Sequence, residues 1–195
     1  MISKVSIFKT KRLFLDYFKK NDYIKNDKVG FRMYNPNQDA IHQNFTIEDW
    51  DMVFYDVDEL LLKDWAASYN IDRMLLMAVD MKSGMSFGFI CIQELHNKPF
   101  SVCFHGGVWN HGIKEQLLGF EAADLILRFL VDNRMDVFVT CYRWNTKANR
   151  FLNSLGFVDY CYDERLCYKK LDVERLNSNI LCKRNSSKSM AYVGN

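Results

Sequence analysis

Proline is nearly missing: Pro36 and Pro99 are the only two in 195 residues. That excludes a collagen-like or proline-rich low-complexity chain. No self-similar period appears, which excludes a repeat architecture. The six cysteines, at positions 91, 103, 141, 161, 167 and 182, form no Cys-x-x-Cys pair, and most sit in apolar runs. They read as small core residues in a reducing compartment rather than a zinc site or a disulfide framework. No apolar run reaches the length that spans a bilayer. The opening MISKVSIFKTKR lacks a long apolar core followed by small residues, so no signal peptide is expected and a cytoplasmic location is. An excess of one charge is missing too. Twenty-six basic residues face twenty-four acidic ones, a formal net charge of +2. That balance gives no reason to expect a nucleic-acid partner. The nearest basic cluster, Lys9, Lys11, Arg12, Lys19 and Lys20, is interleaved with acids and aromatics and reads as a solvated element.

What the chain does have is apolar material: 49% hydrophobic residues, and 15% Phe, Trp and Tyr. A core can form without staples. Two segments compete for the first strand, RLFLDYF (12–18) and VGFRMY (29–34), the second closed by Asn35-Pro36. Asp56 and Glu59 make a capping-box pattern ahead of Val57, Leu60, Leu61, Trp65 and Tyr69, spaced for one helix face. RMLLMAVDM (73–81) and MSFGFICIQEL (85–95), joined by Lys82-Ser83-Gly84, form a hairpin, and FSVCFHGGVW (100–109) extends it to a meander. From Gln116 the period changes. Leu118, Ala122, Leu125, Ile126, Phe129 and Leu130 fall on one helical stripe that Asn133 ends.

DVFVTCY (136–142) is a buried-type strand. NTKANRFLNSLGF (145–157) follows, with Ala148, Phe151, Leu152 and Leu155 at helical spacing and Gly156 at the left-handed cap position. VDYCY (158–162) and RLCYKKL (165–171) make a last hairpin. From about Asp172 the chain turns polar and reads as a tail or arm. A helix between strands 100–109 and 136–142 sets them side by side and parallel through a right-handed crossover. The fold class is α/β, a central mixed sheet flanked by helices.

Asn145, Ala148, Phe151, Leu155, Gly156 and Phe157, after an apolar strand and before a hairpin, resemble the late Asn-x-x-Ala-x-x-aromatic signature, closed by Gly-Phe, of the GCN5-related N-acetyltransferase (GNAT) superfamily. The resemblance spans about residues 73–171. TKRLFLDYFKKND (10–22) is similar to the opening of ribosomal-protein and antibiotic-type acetyltransferases. The resemblance implies a GNAT-like domain over 46–171, with 1–45 as an N-terminal segment supplying its first strand and helix and 172–195 as a polar tail. It also implies acetyl-CoA as the cofactor. The pantetheine arm would pair with backbone between the two parallel strands. The pyrophosphate would sit at the start of the intervening helix. Cofactor-binding positions by this resemblance are Val108, Trp109, Lys114, Gln116, Gly119, Asn145 and Ala148. Physics alone gives Asn145 another task, that of an N-cap.

The sequence departs from the family in NHGIKEQLLGFEAAD (110–124). Gln116, Gly119 and Glu121 fit the glycine-rich pattern only with Glu in place of its last small residue. The other alignment puts Glu115 and Leu117 at the glycines. Glu115 would repel phosphates, and Lys114 would offset some of that charge. The family's acid tyrosine is replaced by Leu152, which leaves Tyr142, Tyr160 and Tyr162 as nearby phenols.

Acetyl transfer to an amine needs a proton acceptor, a polarising N–H and an acid for the leaving thiolate. His105, mid-strand beside Gly106-Gly107, is the leading base, since an imidazole titrates near neutral pH; the alternative is a satisfied core histidine. Glu94 is the second base, or a strand-end surface charge, and Tyr142 the acid, or a core phenol. His105 and His111 with Glu94 or Glu121 lack metal-site spacing, so no metal is expected. The double glycine suggests a bulge or a close backbone approach. Two functions remain open. One is an N-acetyltransferase acting on an amine of a protein or small molecule. The other is a non-catalytic protein on the same fold, similar to GNAT-like proteins of tailed bacteriophages, located in host cytoplasm or virion and binding protein partners through its N-terminal segment and tail.

Overall fold

The computed structural model describes residues 9–35, 38–39, 73–95, 98, 100–108 and 113–178, the side chains of residues 9, 73 and 113–116 excepted. The helix expected behind Asp56 and Glu59 lies outside these residues, as do Trp109 and His111. The chain divides into two compact units, Met1–Val139 and Thr140–Asn195.

The first unit opens with helix α1 (Lys9–Phe18) and strands β1 (Ile24–Lys25) and β2 (Val29–Met33). Of the two segments competing for the first strand, VGFRMY supplies one and RLFLDYF is helical. The reason is spacing. Thr10 and Phe14 are buried four residues apart, and Arg12 and Lys19 pair with Asp16 on the exposed side. Phe14 and Tyr17 then pack on Phe129, with centroids 5.3 and 5.1 Å away.

Strand β3 (Arg73–Asp80) pairs antiparallel with β2 and with β4 (Ser86–Glu94). The connecting turn follows its residues. Asp80 accepts from Lys82 N and Ser83 Oγ, and Gly84 takes a φ of 72°. Leu75 and Leu76 are each 0% exposed although they point to opposite faces, so the centre of this sheet is buried on both sides. Strand β5 (Ser101–Val108) pairs antiparallel with β4 from Glu94↔Val102 to Gly88↔Val108. That register is unbroken through Gly106 and Gly107, so the double glycine is no bulge in it. A Cβ at Gly106 would sit 2.7 Å from the Phe89 carbonyl oxygen, which makes close approach the reason for glycine. The irregularity falls instead between Ala78 and Val79.

Helix α2 (Ile113–Asp132) carries the chain to β6 (Asp136–Tyr142), which runs parallel to β5. Asn133 closes α2 by donating from Nδ2 to the Phe129 carbonyl, 2.7 Å, and Arg134 turns the chain at a φ of 60°.

In the second unit, β6 leads to α3 (Thr146–Ser154), β7 (Phe157–Tyr162), β8 (Leu166–Leu171) and α4 (Val173–Ser178). Helix α3 starts where Asn145 Oδ1 accepts from Ala148 N, 3.0 Å, and ends before Gly156 at a φ of 99°. Its stripe is narrower than the spacing suggested: Leu152 is buried but Phe151 is 38% exposed. Beyond Asp172 the expected tail is corrected over its first turns. Asp172 Oδ1 accepts from Glu174 N and Arg175 N, starting α4, and Leu176 is buried. The strand order is β1-β2-β3-β4-β5-β6-β8-β7, a mixed sheet flanked by helices.

Replacing Gly156 by Ala strains a left-handed backbone and puts a Cβ 2.7 Å from Leu176 N. We expect it to cost about 1–3 kcal/mol in urea unfolding. Arg134→Gly, at a left-handed position that glycine adopts without strain, is expected to raise the urea midpoint.

Candidate functional site

The parallel register between β5 and β6 covers three pairs, Ser101↔Asp136, Val102↔Val137 and Cys103↔Phe138. Both strands run on past it, β5 to Val108 and β6 to Tyr142. Antiparallel pairing with β4 fixes the extended part of β5, so its course does not depend on β6.

His105 lies two residues beyond the last parallel pair. It is half-buried, opposite Cys91 on β4, with Nε2 3.6 Å from the Cys103 Sγ. Val108 ends the strand and is half-buried. A Cβ at Gly119 would meet Val108 Cγ1 at 3.0 Å, so glycine lets α2 lie against the end of β5. Lys114 and Gln116 fall in the first turn of α2, where backbone N–H groups lack helical acceptors and favour an anion. Glu121, one of the two acids that weaken the glycine pattern, forms an ion pair with Lys28 Nζ at 2.5 Å. Its charge is balanced by the β1–β2 turn.

Glu94 is buried, 8% exposed, which corrects its reading as a surface charge. Its Oε1 accepts from Thr10 N at 2.7 Å and Thr10 Oγ1 at 2.6 Å. The carboxylate thus tethers β4 to the first turn of α1, where a negative group also suits the helix dipole. Its Oε2 has no hydrogen-bond partner among the described residues.

In the second unit Asn145 takes the capping role that physics alone gave it. Asn149, missed in the sequence, holds the same turn. Its Nδ2 donates to the carbonyls of Tyr142 and Asn145, both 2.9 Å, and its Oδ1 accepts from Cys141 Sγ at 3.4 Å. Ala148 is half-buried behind the cap. Tyr142 is 2% exposed and stacks on Trp144, centroids 5.0 Å apart. Cys91, Cys103, Cys141 and Cys167 are buried and Cys161 is exposed, none of them in a disulfide. No group of His, Cys, Asp or Glu able to hold a metal occurs among the described residues.

The other missed cluster surrounds Lys169, whose side chain is 2% exposed. Its ammonium donates to Asn153 Oδ1 at 3.0 Å and to Asp159 Oδ1. Asp159 also accepts from Cys167 Sγ, 3.2 Å. The Lys169 hydrogen bond, then that of Cys167, holds the Asp159 carboxyl below the usual range. Burial, then the Asp159 hydrogen bond, pushes the Cys167 thiol up to about 11. Burial also raises Cys141. These thiols are poor nucleophiles at neutral pH.

No protein-family model and no curated protein matches the sequence. Solved structures do. The chain is similar to apo FdhC, a nucleotide-linked sugar GNAT, at 16% identity and a TM-score of 0.65, over 85% of this chain and 98% of that one. It is similar to a GCN5-related N-acetyltransferase from Brucella melitensis at 12% and 0.65, over 83% of each chain. A GNAT-family acetyltransferase from Bacillus anthracis matches at 14% and 0.63, over 78% of this chain and 99% of that one. No described helix is long and apolar enough to cross a membrane.

A folded-state pKa held down means that Asp159 stabilises the fold above its ordinary value of about 3.9 and loses that contribution as pH falls through the lowered one. The urea midpoint should therefore fall in acid, and less so in Asp159→Asn. At pH 7 that variant leaves a buried ammonium without its anion and should cost about 1.5–3 kcal/mol. Lys169→Met, which leaves only a carboxylate that is 66% exposed, should cost less.

At these identities the likeness is one of fold, and it agrees with the strand order and the short parallel register: the chain carries the GNAT fold.

Proposed function

We propose that the protein is an N-acetyltransferase that transfers an acetyl group from acetyl-CoA to an amine of a small molecule or a protein. The observation that carries this reading is the parallel β5–β6 register that stops after three pairs, on a fold shared with acetyltransferases. Two observations support the coenzyme part of this reading: glycine at 119 lets the start of α2 lie close to the end of β5, and Lys28 pairs with Glu121.

In this reading the β5 backbone around Phe104–Val108 binds the amide-bearing arm, as an added strand would. The first turn of α2, with Lys114 and Gln116, holds the phosphates. Asn145 and Ala148 order the start of α3. Bound acetyl-CoA supplies the thioester. His105 accepts the proton that the acceptor ammonium must lose before it can attack. Glu94 holds α1 instead of moving a proton. Tyr142, packed under Trp144, supports the end of β6 and has no acid role in this reading. The non-catalytic alternative rests on the glycine pattern, and the Lys28 ion pair weakens half of that argument.

Titration with acetyl-CoA, by calorimetry and thermal shift, tests the reading. Ligand at about a hundred times its dissociation constant should stabilise the fold by about 2.7 kcal/mol. Gly119→Glu should abolish that gain. Once an acceptor amine is in hand, His105→Gln should lower kcat by roughly 10²–10⁴ while leaving coenzyme affinity unchanged. No stabilisation at millimolar acetyl-CoA would overturn the reading and favour a protein that acts only through partners.

A further inference from the structure

Cys103 and His105 stand two residues apart on β5 and on the same face of the sheet, with His105 Nε2 3.6 Å from the Cys103 Sγ. Cys103 is 9% exposed, and His105 beside it is half-buried. An imidazole against a sulfur is the pairing that activates a thiol: the ring takes the proton as the sulfur attacks. Two other thiols are set differently. Cys141 donates to an amide oxygen, Asn149 Oδ1, and Cys167 to the Asp159 carboxylate. Neither acceptor takes up a proton near neutral pH, whereas an imidazole does.

Ser101 is a second, independent sign. It lies on the same face, two residues before Cys103. It is 2% exposed, yet its Oγ has no hydrogen-bond partner among the described residues. A buried hydroxyl without a partner is costly, and a ligand oxygen that develops negative charge beside it would remove that cost. Position points the same way. Cys103 belongs to the last of the three parallel pairs, Cys103↔Phe138. The stretch beyond it, Phe104–Val108, is the one that takes the coenzyme's arm in the acetyltransferase reading. With the phosphates at the helix end of that stretch, the thioester arrives at the other end, next to Cys103.

We propose that Cys103 is an acyl-accepting nucleophile activated by His105, so that the acetyl group reaches the amine by way of an acyl-cysteine. The donor, acetyl-CoA, rests on the acetyltransferase reading; the dyad does not. His105, with its own proton on Nδ1, takes the Cys103 proton on Nε2. The thiolate adds to the thioester carbonyl, and the Ser101 hydroxyl donates to the oxyanion. The bond from the carbonyl carbon to the coenzyme sulfur breaks, and His105 returns its proton to the departing sulfur. Neutral His105 then removes one proton from the acceptor ammonium, and the amine attacks the acyl-cysteine. A carbon–nitrogen bond forms and the bond to the Cys103 sulfur breaks. That sulfur leaves with a second amine proton, which restores the thiol, and His105 gives its proton to water.

Mass spectrometry of the full chain, with the exposed Cys161 replaced (Cys161→Ser), tests the proposal. The protein is incubated without any amine, once with acetyl-CoA and once with p-nitrophenyl acetate, an activated ester that needs no coenzyme cleft. One acetyl group should be gained, map to Cys103, and be removed by neutral hydroxylamine, which cleaves thioesters. Cys103→Ala should abolish it, and His105→Gln should slow it roughly 10²–10⁴-fold. Ser101→Ala should slow it about tenfold without lowering the urea midpoint, since it removes a buried atom that has no partner. Urea midpoints of the other variants report folding separately. Acylation of Cys103 by the ester alone would sink acetyl-CoA as the donor and leave the dyad standing. No acetyl group on Cys103 from either donor overturns the proposal. So does a Cys103→Ala protein that transfers acetyl to an amine within about twofold of the parent rate, a result that would leave the acetyltransferase reading intact.

Discussion

Three residue pairs, Ser101–Cys103 against Asp136–Phe138, join β5 to β6, and they are parallel. Parallel neighbours cannot be linked by a tight turn, so the chain must cross over, and α2 is that crossover. The crossover brings a helix N-terminus close to the end of β5. The shortness of the pairing lets β5 continue under the control of β4 alone. An extended strand end, a helix start and a close glycine contact at Gly119 thus come from one topological requirement. A pairing that ran the full length of both strands would leave no such arrangement.

A second constraint is the anchoring of polar groups that the core encloses. Glu94 holds Thr10, which places α1, and α1 in turn packs Phe14 on Phe129 of α2. At the surface, Lys28 holds Glu121 on the same helix. In the second unit, Asp159 and Asn153 hold Lys169, and Asn149 and Asn145 hold the turn into α3. Each unit therefore carries its own buried polar lock, with apolar packing around it. Such groups add little net stability, but removing one partner is costly, so they make the arrangement specific.

Most of the sheet was legible from period and turn chemistry. DVFVTCY is a strand over the residues its apolar run marked, and Asp80, Ser83 and Gly84 form the turn their composition suggested. RLFLDYF was ambiguous because a seven-residue apolar-aromatic run satisfies either period, and the group that holds the helix start at Thr10, Glu94, is 84 residues away. Phe151 was misplaced because spacing marks a helix face but not how far that face is covered. At the site, Asn145 could be found from its place before a helix, since capping is local. Lys28 and Asn149 could not, because their partners are set by tertiary structure. Lys169 had a signal that went unused. With Cys167 and Leu171 facing inward on β8, parity alone puts residue 169 inward as well. Average charge preferences argue against that placement, and Asp159 on the adjoining strand overrides them.

Lys169 has one more consequence. Amine-selective reagents need an accessible nitrogen with a free lone pair, and this one is hydrogen-bonded and enclosed. Surface lysines such as Lys147 will be labelled first, and residue 169 only when the β7–β8 hairpin opens. The chain thereby contains a built-in clock for local opening of its second unit, read out by mass at a single side chain.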